Sequence, residues 1–85
     1  MSRHKVFVYT SRGCHYCERV LQLLRDNNVE FEERNISDHR PYFDEMKEFG
    51  IYGTPVTFVG EEKVLGFQEK QLKKKLGINR TNMHS

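Results

Sequence analysis

Two cysteines, two prolines and no extended apolar run: the sequence of 85 residues is sparse in all three. Each scarcity narrows what the protein can be. Two cysteines close one bridge at most, which excludes a multiply stapled secreted scaffold. They stand three positions apart, Cys14 and Cys17. A bridge over so short a loop adds little stability, because the gain grows with the logarithm of loop length. After Met1-Ser2-Arg3-His4-Lys5 the apolar stretch is only Val6-Phe7-Val8-Tyr9. A secretory signal needs a longer one, and a membrane-spanning helix about 20 such residues. The expected compartment is therefore the reducing cytosol, where a disulfide is usually catalytic or sensing. A large excess of one charge sign is lacking too. A net +2 gives no reason to expect nucleic acid or membrane as a partner.

What is present alternates between two periodicities, in a length that suits a single domain. Lys5 to Tyr9 is a β-branched and aromatic run, short enough for a buried central strand. Cys17, Val20, Leu21 and Leu24 then recur at helical spacing, predicting a helix from Cys14 to Asn27. Glu30 to Arg34 reads as a polar, edge-like strand. Asp38 is the expected cap of a second helix, with Pro41 in its first turn and Gly50 at its end. It presents Tyr42, Phe43, Met46 and Phe49, of which Phe43, Met46 and Phe49 are expected in the core. Val56–Val59 and Lys63–Leu65 flank Gly60-Glu61-Glu62, a hairpin signal. Gln68 to Leu76 reads as a last helix ended by Gly77. The predicted order is β-α-β-α-β-β-α, with a four-stranded mixed α/β sheet and helices on both faces. The expected domain covers residues 1–78, and 79–85 form a polar tail.

The cysteine pair sits where a strand hands over to a helix. Free N–H groups of a first helical turn can donate to a sulfur on the cap residue, and the helix dipole favours negative charge there. An ordinary cysteine, with a pKa of about 8.5, is only about 3% ionised at pH 7, so such stabilisation matters. Cys17 shares the apolar face of Val20, Leu21 and Leu24, whereas Cys14 precedes it. The expectation is an exposed nucleophile, Cys14, and a more buried resolving thiol, Cys17, working by thiol–disulfide exchange. Arg12 could fold back towards the sulfur, and His15 could stabilise a thiolate when protonated. Other readings of the pair are weaker. Zinc wants four ligands and this motif supplies two, with no paired spacing among the four histidines. Haem attachment needs histidine where Glu18 stands.

Three motifs in order resemble the glutaredoxin branch of the thioredoxin superfamily, from about Lys5 to Ile78. They are Cys14-His15-Tyr16-Cys17 behind a strand, Thr54-Pro55-Val56, and Gly66-Phe67. The resemblance implies a thioredoxin-like fold of the glutaredoxin type and a small dithiol oxidoreductase. It also implies a cis bond before Pro55, which would let Thr54 offer its backbone groups to an extended substrate. Arg12, His15, Tyr16, Thr54, Pro55, Gly66, Phe67 and Gln68 are then the substrate-facing candidates. No bound cofactor or metal is expected beyond the Cys14–Cys17 redox disulfide. The default electron donor is glutathione, the partners are disulfide-bearing proteins or glutathione, and the expected state is a monomer.

Two departures bear on the donor. Ser11 stands where glutathione-binding members carry a basic residue, with Arg12 one place closer to the cysteine. Gly66-Phe67-Gln68-Glu69 also lacks their aspartate pair. The Gly-Phe pair resembles instead the small redoxins that draw electrons from thioredoxin reductase and serve ribonucleotide reductase. Two further readings are an iron–sulfur cluster bridged between two copies through Cys14, and a non-catalytic adaptor. Lys70 and Lys73-Lys74-Lys75 are spread around their helix and read as a solvated face.

Overall fold

A computed structural model describes residues 5–78, so the predicted tail and His4 lie outside the described residues. Four strands and three helices follow one another in the expected order. They are β1 (Val6–Thr10), α1 (His15–Asp26), β2 (Glu32–Asn35), α2 (Arg40–Glu48), β3 (Val56–Val59), β4 (Glu62–Leu65) and α3 (Glu69–Leu76). The sheet order is β2-β1-β3-β4. β2 runs parallel to β1, with Phe7 opposite Glu32. β3 is antiparallel to both β1 and β4. The order follows from the connections. The segment from β1 to β2 contains a helix long enough for a parallel crossover, whereas the two-residue turn between β3 and β4 admits only antiparallel pairing. Gly60 in that turn has φ +63°, a conformation glycine adopts without steric penalty.

Strand alternation divides β1 between two cores. Val6 and Val8 face α1 and α3, packing with Val20, Leu21, Leu24, Val64 and Leu72. Tyr9 faces the other way and packs with Met46, Ile51 and Val56 under α2. β2, at the edge, carries the charged sequence EERN and little apolar surface, consistent with its expected edge place. It starts at Glu32 rather than Glu30, since Phe31 packs against the α1/α3 core instead of pairing.

Three local expectations are corrected. Asp38 does not cap α2. The cap residue is His39, whose side chain makes no capping hydrogen bond, and Pro41 sits in the first turn. Asp38 is drawn away by Arg12, a long-range charge that local patterning does not show. Phe49 is not core: it is 59% exposed, while Met46 on the same helix is 0% exposed. The helix ends one residue before Phe49, so the helical spacing that would have turned the ring inward stops short. The last helix begins at Glu69, with Gln68 at its cap. Two of its lysines are paired, Lys73 with Glu69 and Lys75 with Glu62, and Gly77 closes it at φ +74°.

Candidate active site

β1 delivers the chain to the site and the loop 11–13 turns it back. Gly13 lies at φ +74°, a left-handed conformation that favours glycine, and it sets Cys14 in extended geometry at the cap of α1. The Cys14 sulfur accepts a hydrogen bond from the backbone N–H of Cys17 at 3.2 Å. That N–H is one of the free donors of a first helical turn, and it points at the cap atom able to carry negative charge. The two cysteines are disulfide-bonded, with Cα atoms 5.2 Å apart, inside the range that a bridge spans without moving the backbone. Cys17 is 1% exposed and heads the buried stripe of α1, whereas Cys14 is half-buried. The difference in access runs in the expected direction.

A second segment closes on the sulfur from across the fold. The Thr54–Pro55 bond is cis, as the resemblance implies. The Thr54 hydroxyl donates to Cys14 Sγ at 3.9 Å and meets Ser11 Oγ at 2.7 Å. Because a hydroxyl has one hydrogen, Ser11 donates to Thr54 whenever Thr54 donates to sulfur. A third segment is tied in by Gly66, whose N–H donates to the Pro55 carbonyl at 2.8 Å. Gly66 has φ +72°. Residues 14, 54–55 and 66 thus form one rim.

The remaining candidates separate by environment. Tyr16 is 59% exposed, and its ring meets the His15 ring edge-on. His15 is exposed and accepts at Nε2 from Arg19 Nε, 3.4 Å away. Phe67 is half-buried against the α1/α3 core. Gln68 is exposed and donates from Nε2 to the Leu65 carbonyl at 2.6 Å. Arg12 does not end at the sulfur: its guanidinium pairs with the Asp38 carboxylate, and its backbone N–H donates to Ser37 Oγ at 2.9 Å. Sequence reasoning missed Ser11 as a hydroxyl partner and Asp38 as an ion-pair partner. Nothing local marks either, because each acts on a residue distant in the chain or across a loop. Tyr52, 71% exposed just ahead of Thr54, was also not singled out. Among the described residues no group of three or more His, Cys, Asp or Glu could hold a metal ion, and no helix is long and apolar enough to cross a membrane.

Comparison with known proteins agrees with this geometry. The sequence model of the family Glutaredoxin matches residues 6–64. The glutaredoxin-like protein NrdH of Lactococcus lactis is 28% identical over 69 residues, covering 81% of this chain and 96% of its own length. Among solved structures, the thioredoxin-like protein BC3987 superposes with a TM-score of 0.80 at 32% identity, over 85% of this chain and all of its own. A glutaredoxin from Archaeoglobus fulgidus gives a TM-score of 0.73 at 28% identity, over 84% of each chain. The NrdH-redoxin of Escherichia coli, at 18% identity, shares the fold with a TM-score of 0.76 over 82% of this chain and 92% of its own. With a cysteine pair joined at a helix cap, a threonine beside it and a family match over most of its length, the chain belongs to the glutaredoxin family and is a thiol-disulfide oxidoreductase.

Proposed function

We propose that the protein reduces disulfides of partner proteins through Cys14 and is itself re-reduced by thioredoxin reductase. The observation that carries the exchange step is the half-accessible Cys14 sulfur receiving the Cys17 N–H, with Cys17 buried behind it. In the reduced protein the Cys14 thiolate attacks one sulfur of a substrate disulfide. That S–S bond breaks, a substrate thiolate leaves and takes a proton, and a mixed disulfide remains on Cys14. Cys17 then loses its proton and attacks Cys14 Sγ. The Cys14–Cys17 bond forms, the second substrate thiolate departs, and two electrons have passed to the substrate. The setting is the cytoplasm, and the working unit is a monomer.

The reductase assignment rests on four supports. Ser11 replaces the basic residue of glutathione-binding members, and Gln68-Glu69 stands where they carry an aspartate pair. Arg12 is paired with Asp38, and relatives carry the name NrdH. Glutathione, the default donor by resemblance, is the second reading, favoured by the family match itself. NADPH consumption with thioredoxin reductase, compared with glutathione plus glutathione reductase, tests the donor. Turnover only with glutathione overturns the first reading. For the exchange step, the Cys17→Ser variant should accumulate a mixed disulfide on Cys14, visible by mass spectrometry. Failure to trap one, or full activity in Cys14→Ser, would sink it.

A further inference from the structure

Arg12 is the cation of the loop that leads into Cys14, and an acidic side chain from another loop claims it. Its exposed guanidinium pairs with the Asp38 carboxylate, side chains 72% and 58% exposed. A pair so open to water contributes little to stability, so holding the fold together is a poor account of it. Nor does Asp38 cap α2, whose cap is His39. The loop is held without the Asp38 side chain: Asn35 Oδ1 accepts from the backbone N–H groups of Ser37 and Asp38 at 2.8 and 3.1 Å. The Arg12 N–H bond to Ser37 Oγ adds a further tie.

We infer that Asp38 is a specificity residue: it neutralises Arg12 and so weakens binding of the anionic tripeptide glutathione at Cys14. The inference rests on the proposed preference for thioredoxin reductase and gives it a physical cause. Glutathione carries two carboxylates and one ammonium. To reduce this protein, one glutathione thiolate attacks Cys14 Sγ, breaking the Cys14–Cys17 bond and leaving a mixed disulfide with the Cys17 thiolate free. A second thiolate then displaces Cys14 as oxidised glutathione departs. Two electrons enter the protein, and both cysteines end as thiols. Arg12 stands two residues before Cys14, and the inference places a carboxylate of the Cys14-bound tripeptide at its guanidinium. With Asp38 in place, that cation is already matched, and an incoming carboxylate meets a carboxylate.

The test uses the full chain with glutathione, glutathione reductase and NADPH. Asp38→Asn keeps the backbone bonds to Asn35 and removes the charge. The KM for glutathione should fall about two- to fivefold, the factor an exposed charge pair supplies, with kcat unchanged. In the Arg12→Gln/Asp38→Asn double variant the gain should vanish, because there is no cation left to release. An unchanged KM in Asp38→Asn overturns the inference. So does an equal fall in the double variant, which would reduce Asp38 to a general repulsive charge. Asp38→Ser serves as a second variant should Asp38→Asn fold poorly. The donor reading is judged separately, on the unsubstituted protein with thioredoxin reductase, so either idea can fail while the other stands.

Discussion

The Thr54 hydroxyl lies 3.9 Å from the sulfur of Cys14, joined to it across forty residues of sequence and backed by Ser11 at 2.7 Å. A donor aimed at sulfur stabilises the anion more than the thiol, and hydrogen bonds in a chain polarise one another. Thr54→Val keeps the shape and removes the donor. Iodoacetamide labelling of reduced Cys14 at about pH 6 should slow about two- to tenfold, the worth of one net hydrogen bond. Ser11→Ala should act in the same direction and less. A labelling rate unchanged in Thr54→Val would show that the helix terminus alone holds the anion.

Thr57 offers a stabilising substitution. Its side chain is fully buried and Oγ1 has no hydrogen-bond partner among the described residues. The strand register places it between Val8 and Val64. Thr57→Val matches its shape and removes an unpaired buried hydroxyl. Stability should rise by about 1–2 kcal/mol, or about 5–10 °C in melting temperature for a domain of this size. A lower melting temperature would mean that the hydroxyl has a partner after all.

Met46 and Phe49, three residues apart, should respond in opposite ways. Met46 is the fully buried residue of α2, so Met46→Ala should cost about 2–4 kcal/mol, a large fraction of the stability of a domain this small. Phe49 keeps a ring contact of 5.0 Å with Phe58 but is mostly in water. Phe49→Ala should cost about 1 kcal/mol or less. Urea titrations of both variants decide this, and similar losses would contradict the placement of the two side chains.

Tyr9 gives the fold an alkaline limit. Burial pushes its hydroxyl above the ordinary value of 10.0, the Arg34 hydrogen bond pulls it down, and the bond to Glu45 pushes it up again, with a net rise. A folded-state value above the unfolded one stabilises the protein below the unfolded value, and that contribution is lost as pH rises through the folded value. Urea midpoints at about pH 8 and about pH 11 should therefore differ more in the unsubstituted protein than in Tyr9→Phe. Equal differences would remove Tyr9 as the cause. Arg34, spanning Tyr9, Glu45 and Glu32, holds its proton throughout this range.

Much of the architecture is legible locally because both periodicities are clean. The α1 stripe of Cys17, Val20, Leu21 and Leu24 is buried as its spacing predicts. The β3–β4 turn lies at its glycine. Phe49 breaks the pattern because periodicity says which positions share a face but not where the helix stops. Asp38 breaks it because capping is a short-range preference, and here an ion pair with Arg12 competes for the same carboxylate. The cysteine pair was legible for the opposite reason: its spacing and its place before an apolar helical stripe are both local facts.

The sequence by itself determined the order of elements, the helix-cap setting of Cys14 and the burial of Cys17, since each depends on residues within a few turns of one another. Only the tertiary structure decided what surrounds the sulfur. Thr54 meets the sulfur and Ser11, Gly66 is tied to Pro55, and Asp38 takes Arg12, all through strand pairing and loop contacts. Such pairings are fixed by the packing of the whole sheet, and no neighbouring residue announces them.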